Sequence, residues 1–174
     1  FFCGGIALLT GQRGKTAMTR AKNFINKKDI PFQLEQAYIA VSTGGLLGKG
    51  PGNSNQKNFL PQSYSDFIYA IIIEEYGFIM GVTILVLYIL LLYRGLKIFI
   101  KSDRPFGGLL SAGLSFALVI QALINMSVVV GLLPVTGVTL PLISMGGTSQ
   151  LFTGITLGII LSVSRNNDLE ESYA

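Results

Sequence analysis

The sequence predicts an all-α integral membrane protein, a fragment of a polytopic helical bundle that carries a large external loop. Half of the residues are hydrophobic and only 13% are charged, about half the charged fraction usual in a soluble domain. Mean hydropathy is +0.57. The apolar residues are gathered into runs. Tyr76 to Tyr93 is uncharged for ~18 residues, enough to cross a bilayer with modest flanking help. Pro105 to Ser164 carries no charge for ~60 residues, which fits two spans and a connector.

The elements follow in order. Residues 1–10, "FFCGGIALLT", are apolar but too short to cross a bilayer, and read as the last turns of a membrane helix that begins upstream. They lack the basic start and small-residue cleavage site of a signal peptide. Residues 11–65 are polar and form the large loop. Within them Phe32, Leu34, Ala37, Tyr38 and Val41 recur loosely at helical spacing, which predicts a short helix lying on the membrane surface. The glycine density of the next stretch, "STGGLLGKGPGNSN", predicts a loop with several unusual backbone angles. Three membrane helices are predicted over residues 66–164, at about 68–93, 107–130 and 143–164. The last connector, "GLLPVTGVTLP", holds Pro134, Gly137 and Pro141 and cannot be a continuous helix. Residues 165–174 are a short tail.

Charge gives opposing signals for the orientation, and the short connection is weighted over the long loop, whose charges count less. The short connection 94–105 carries Arg94, Lys97, Lys101 and Arg104 against Asp103, which argues for the cytoplasmic side. The loop 11–65 is then external and the tail cytoplasmic. Eight basic residues (Arg13, Lys15, Arg20, Lys22, Lys27, Lys28, Lys49, Lys57) fall outside on this reading. An anionic ligand at the outer membrane surface accounts for them. No nucleic-acid partner is expected.

Composition also narrows the chemistry. There is one cysteine, Cys3, and no histidine. An internal disulfide, a thiolate metal cluster and an imidazole shuttle are therefore excluded within this chain. Acid–base work falls to Asp, Glu, Lys, Tyr or Cys.

The candidates each admit two readings. Ser63-x-x-Asp66 matches a capping box, with Asp66 as the third helical residue, and an acid in the first turn suits the helix dipole. A carboxylate where a polar loop meets the membrane equally suits a functional role. On a continuous helix Glu74 lies ~12 Å along the axis from Asp66 and ~80° around it. That is beyond the spacing of a paired-carboxylate glycosidase site. Glu74 and Glu75 therefore sit at the interface or against neighbouring helices, or one of them orients a substrate or pairs with Arg20 or a loop lysine. The basic residues contact headgroups and water, or as a group hold a pyrophosphate, Arg as a bidentate fork and Lys as a point charge. Ser144 to Ser149, with Gly147 and Thr148, either pack helices closely or form an interrupted helix end that lines a cavity. Gln121 and Asn125, at i and i+4, read as hydrogen-bonding glue between helices.

The order of these features is more specific than any one of them. "LEQAYIAVSTGGLLGKGPGNSNQKNFLPQSYSDFIYAIIIEEYG" followed by "QALINMSVVVGLLPVTGVTLPLISMGGTS" closely resembles the FtsW/RodA/SpoVE family, or SEDS proteins, from about Arg13 to Arg165. The resemblance implies the C-terminal part of a polytopic bacterial membrane protein, from the end of helix seven through helices eight to ten. It implies a peptidoglycan glycosyltransferase that polymerises lipid II at the outer face of the cytoplasmic membrane. The family's essential acid, in "[ST]DFI[FY]A", falls on Asp66. The family's "LPE-x-HTDF" pattern has Gln62 here for the acid and Tyr64-Ser65 for His-Thr, and its Ser-Tyr-Gly-Gly is Ser144-Met145-Gly146-Gly147.

By this resemblance Asp66 takes the proton of the acceptor GlcNAc 4-hydroxyl. Arg20, Lys49 and Lys57 stabilise the departing pyrophosphate, with or without a divalent cation such as Mg or Mn. Gln56, Glu74, Ser144, Gly147 and Thr148 complete the expected substrate-binding set, and no residue is assigned as a metal ligand. Asn53, Ser54, Gln56 and Lys57 bring the loop closer to the division-type, FtsW-like pattern than to the elongation-type, RodA-like one. Expected partners are lipid II, the nascent glycan strand, a class B penicillin-binding protein and other division membrane proteins. A lipid II flippase and a non-catalytic scaffold for the transpeptidase are the alternatives.

Overall fold

The computed structural model describes residues 32–54, 65–102 and 105–173. Among them lie α1 (Phe32–Gly44), α2 (Ile68–Lys101), α3 (Pro105–Val129) and α4 (Gly147–Tyr173), with no strand. α2, α3 and the Gly147–Asn166 part of α4 are long and apolar enough to cross a membrane. The chain is therefore an all-helical integral membrane protein, the class its apolar runs indicate.

The helices outrun those apolar runs. α2 continues to Lys101 rather than ending near 93. At 1.5 Å per residue the part after Gly77, where the backbone leaves the helical conformation, is already ~36 Å long, against ~30 Å of hydrocarbon. The excess carries Arg94, Lys97 and Lys101, whose apolar stems let a helix continue while the charged ends reach water. α4 begins at Gly147 rather than 143, because residues 141–144 are used in turns of the connector, and it runs to Tyr173 through the expected tail.

α2 and α3 meet along a seam of small residues. A Cβ on Gly95 would lie 2.1 Å from Ser115 Oγ, and Ser111 and Ser115 are fully buried. Lipid tails are as apolar as leucine, so helices cohere in a bilayer by this kind of close approach. Phe78, Val86, Leu90, Leu151 and Ile155 are exposed on the flanks of α2 and α4.

α1 buries Leu34, Ala37, Ala40 and Gly44, a stripe at i+3 and i+4 spacing. That stripe meets α2, so the helix is fixed by protein contact. Its Tyr38 rests on the turn after α3, where a Cβ on Gly131 would lie 2.9 Å from the phenol oxygen. Burial raises the Tyr38 phenol above its ordinary 10.0.

α2 is broken. Gly77 has φ 82° and ψ 176°, a conformation essentially restricted to glycine. A break strips carbonyls and N–H groups of their helical partners, and the glycine-rich loop after α1 supplies replacements. Lys49 N donates to Glu74 O and Gly50 N to Glu75 O, both at 2.9 Å, while Phe78 N donates to Gly45 O at 3.0 Å. The two backbones touch: a Cβ on Gly48 would lie 2.3 Å from Glu75 O, and one on Gly77 2.2 Å from Leu46 O. Loop 45–50 is thus a backbone splint across the break. Tyr69 adds a side-chain bridge, donating from its hydroxyl to Gly81 O at 3.2 Å.

Candidate active site

Asp66 lies just outside α2. The helix starts at Ile68 with Phe67 as its N-cap, and no side-chain capping bond is made there among the described residues, outside which Ser63 lies. Asp66 is therefore not the third residue of a helix, and the capping-box placement is corrected. The reason is tertiary. Ser144 Oγ donates to Ser65 O at 2.5 Å, and Asn125 Nδ2 donates to Asp66 O at 2.9 Å. Helical bonding starts one residue later, with Phe67 O accepting from Ala70 N at 3.0 Å.

The Asp66 side chain is half-buried. Its Oδ1 accepts from Ser65 Oγ at 3.0 Å. Its Oδ2 faces Gly137, where an added Cβ would lie 3.8 Å away. Gly137 also lines a cavity of about 480 Å³ between α3, the connector and α4, with Gln121, Thr139, Thr148, Ser149 and Thr153 in its wall. The carboxylate thus stands near a cavity whose wall sets the hydroxyls of Thr139, Thr148, Ser149 and Thr153 beside the apolar Leu118 and Phe152, and which carries no charge among the described residues.

Several donors in that wall are already engaged. Gln121 Nε2 donates to Thr139 O at 3.1 Å, Thr153 Oγ1 donates to Ser149 O at 2.7 Å, and the Thr139 and Ser149 hydroxyls share a bond of 2.8 Å. Hydroxyl oxygens engaged this way keep acceptor capacity. Such a wall suits a neutral group that brings its own hydroxyl protons.

The other candidates are placed as follows. Glu74 is fully buried. Lys49 Nζ lies 2.7 Å from its Oε1, and Ser54 Oγ donates to its Oε2 at 2.6 Å. Pairing with a loop lysine was one of the sequence alternatives, and Lys49 is that lysine. Ser144 is buried, and its Oγ also accepts from Leu140 N at 2.8 Å. Gly147 opens α4 and is exposed; Thr148 is exposed and lines the cavity. Arg20, Gln56 and Lys57 lie outside the described residues. Asn125 and Gln121 bond to backbone carbonyls of the connector and of Asp66, rather than to other helices.

The Lys49–Glu74 pair yields a stability prediction. Removing one member of a buried pair strands the other charge, at a cost of about 3–5 kcal/mol. The Lys49 side chain is 30% exposed, so Lys49→Met is expected at the low end, about 3 kcal/mol. Adding Glu74→Leu should recover part of the loss, because an apolar replacement of both charges is often neutral, while the bond from Ser54 Oγ to Glu74 is lost as well. Denaturation midpoints in detergent for the single and double variants check this.

Comparison with known proteins shows the family of the chain. The profile of the FtsW/RodA/SpoVE family, described as cell cycle protein, matches residues 6–169. The chain is 43% identical over 151 residues to stage V sporulation protein E of Bacillus subtilis, covering 84% of this chain and 41% of that protein. It is 45% identical over 136 residues to a probable peptidoglycan glycosyltransferase FtsW of Alkalilimnicola ehrlichii, covering 76% of this chain and 34% of that one. A probable peptidoglycan glycosyltransferase FtsW of Lactococcus lactis is 41% identical over 146 residues, covering 83% and 34%. The chain thus spans between 34% and 41% of the length of these relatives.

Proposed function

The chain belongs to the FtsW/RodA/SpoVE family of cell cycle proteins, and on that premise we propose that it is part of a lipid II polymerase with Asp66 as general base. Relatives named as probable peptidoglycan glycosyltransferases support the activity. The observation that carries the residue assignment is the half-buried Asp66 carboxylate, with Oδ2 toward Gly137 in the wall of that cavity.

In the proposed reaction the donor is a glycan strand on undecaprenyl pyrophosphate, and the acceptor is lipid II. The GlcNAc 4-hydroxyl oxygen attacks the donor's anomeric carbon while Asp66 accepts its proton. The bond from that carbon to pyrophosphate breaks, and the centre inverts. A sugar hydroxyl is a weak nucleophile, and a positioned base contributes about 10²- to 10⁴-fold. Pyrophosphate departs as an anion, so one carboxylate suffices. Arg20 and Lys57 are the proposed cations for it, with or without a divalent cation, because Lys49 is engaged by Glu74. The cavity wall around Thr148 is the proposed acceptor-side surface.

The proposed setting is the bacterial cytoplasmic membrane, with the Asp66 end of the bundle outside and residues 94–105 and 165–174 inside. The division-type loop favours septal synthesis with a class B penicillin-binding protein as transpeptidase partner. Sided reconstitution tests the reading. The full-length protein with its partner, given lipid II only on the face that carries Asp66, should make polymer. Transfer of lipid II across the bilayer without polymer would assign a flippase instead.

A further inference from the structure

We propose that Asn125, together with Ser144, is a positioning residue that fixes the backbone of Asp66 and so aims its carboxylate at the cavity; this rests on the general-base reading of Asp66. Asn125 sits on α3 and is 2% exposed. Its amide nitrogen donates to two carbonyls from different segments, Asp66 O at 2.9 Å and Val138 O at 2.6 Å. The amide orientation is fixed by those contacts, since the reverse would set oxygen against two carbonyl oxygens. Oδ1 is buried and has no hydrogen-bond partner among the described residues. Buried polar atoms are nearly always paired, and the exceptions call for an explanation. Here the two donors hold carbonyls that would otherwise go unpaired, and the acceptor is left over.

Ser144 complements this grip. It is 1% exposed, donates to Ser65 O and accepts from Leu140 N. Two successive carbonyls, Ser65 and Asp66, are thereby held from two different elements. The same two side chains hold the connector at Val138 and Leu140, on either side of Thr139 and next to Gly137. The carboxylate and the cavity wall it faces therefore share one pair of pins. If either slips, the distance between base and acceptor changes, and a displacement of ~1 Å can cost ~100-fold in rate.

The test uses the full-length protein reconstituted with its transpeptidase partner and supplied with lipid II. Asn125→Asp keeps the side-chain shape but removes the two-proton donor: an ionised carboxylate opposes both carbonyls, and a protonated one donates to only one of them. It is expected to lower kcat ~10- to 100-fold, with KM changed by less than about 3-fold, as expected when an interaction specific to the transition state is lost. Amide hydrogen exchange at Ala70 and Ile71, whose N–H groups donate to Phe67 O at the start of α2, should rise with it. Ser144→Ala, which releases only Ser65 O on this segment, should move both readouts the same way by less, and carries the test if Asn125→Asp does not accumulate in membranes. Ser111→Ala, on the same helix and equally buried, should change neither. Asp66→Asn is measured alongside. Wild-type kcat in Asn125→Asp beside an inactive Asp66→Asn overturns the positioning role alone. A rise in KM with kcat unchanged also overturns it, assigning Asn125 to substrate binding. Full activity in Asp66→Asn overturns the general-base reading and this inference with it.

Discussion

Gly77→Ala is expected to destabilise the protein by more than about 4 kcal/mol, in the exceptional range for one substitution. The backbone at Gly77, with φ 82° and ψ 176°, costs a non-glycine residue about 1–3 kcal/mol. The new methyl would also lie 2.2 Å from Leu46 O. That contact is with backbone, which cannot rotate away as a side chain would. Loop 45–50 must lift, and the bonds from Lys49 N, Gly50 N and Phe78 N go with it, each worth about 0.5–1.5 kcal/mol. Lifting the loop also withdraws Lys49 from the buried Glu74. The loss should appear as a lower denaturation midpoint in detergent and reduced accumulation in membranes. A midpoint close to that of the wild type would mean that α2 does not need the splint.

The membrane helices were legible because an apolar run of span length has few other uses. The break in α2 was not. A glycine inside an apolar run reads as a tolerated residue or a packing site, and the groups that repair the break come from Gly45, Lys49 and Gly50, near 30 residues upstream in the chain. The glycine-rich loop was recognised as unusual backbone, but its docking partner was not visible from its composition.

Asp66 presents the same difficulty at the site itself. Local pattern favoured a cap, since Ser63-x-x-Asp66 before an apolar run is the usual signal. The helix starts later because Asn125, 59 residues away, and Ser144, 79 residues from its partner, take the carbonyls. Local sequence carries no record of such competition. Asn125 gives one signal in the sequence, a polar residue in an apolar helix, and that signal points equally to a tie between helices. The Lys49–Glu74 contact was legible only as an alternative, because opposite charges close in sequence are few in this chain but the fold decides which of them meet.

The second large effect concerns the chemistry. Asn at position 66 keeps the size of the side chain and can still accept from Ser65 Oγ, so the turn before α2 should hold. It cannot take a proton from a sugar hydroxyl. Binding and orientation by the rest of the site persist, so the protein should remain assembled while the chemical step slows. The most direct measurement is therefore the rate of lipid II polymerisation by the full-length protein with its partner, wild type against Asp66→Asn at equal membrane abundance. A fall of about 10²- to 10⁴-fold is the predicted result; polymerisation at the wild-type rate would contradict the assignment of Asp66 as the base.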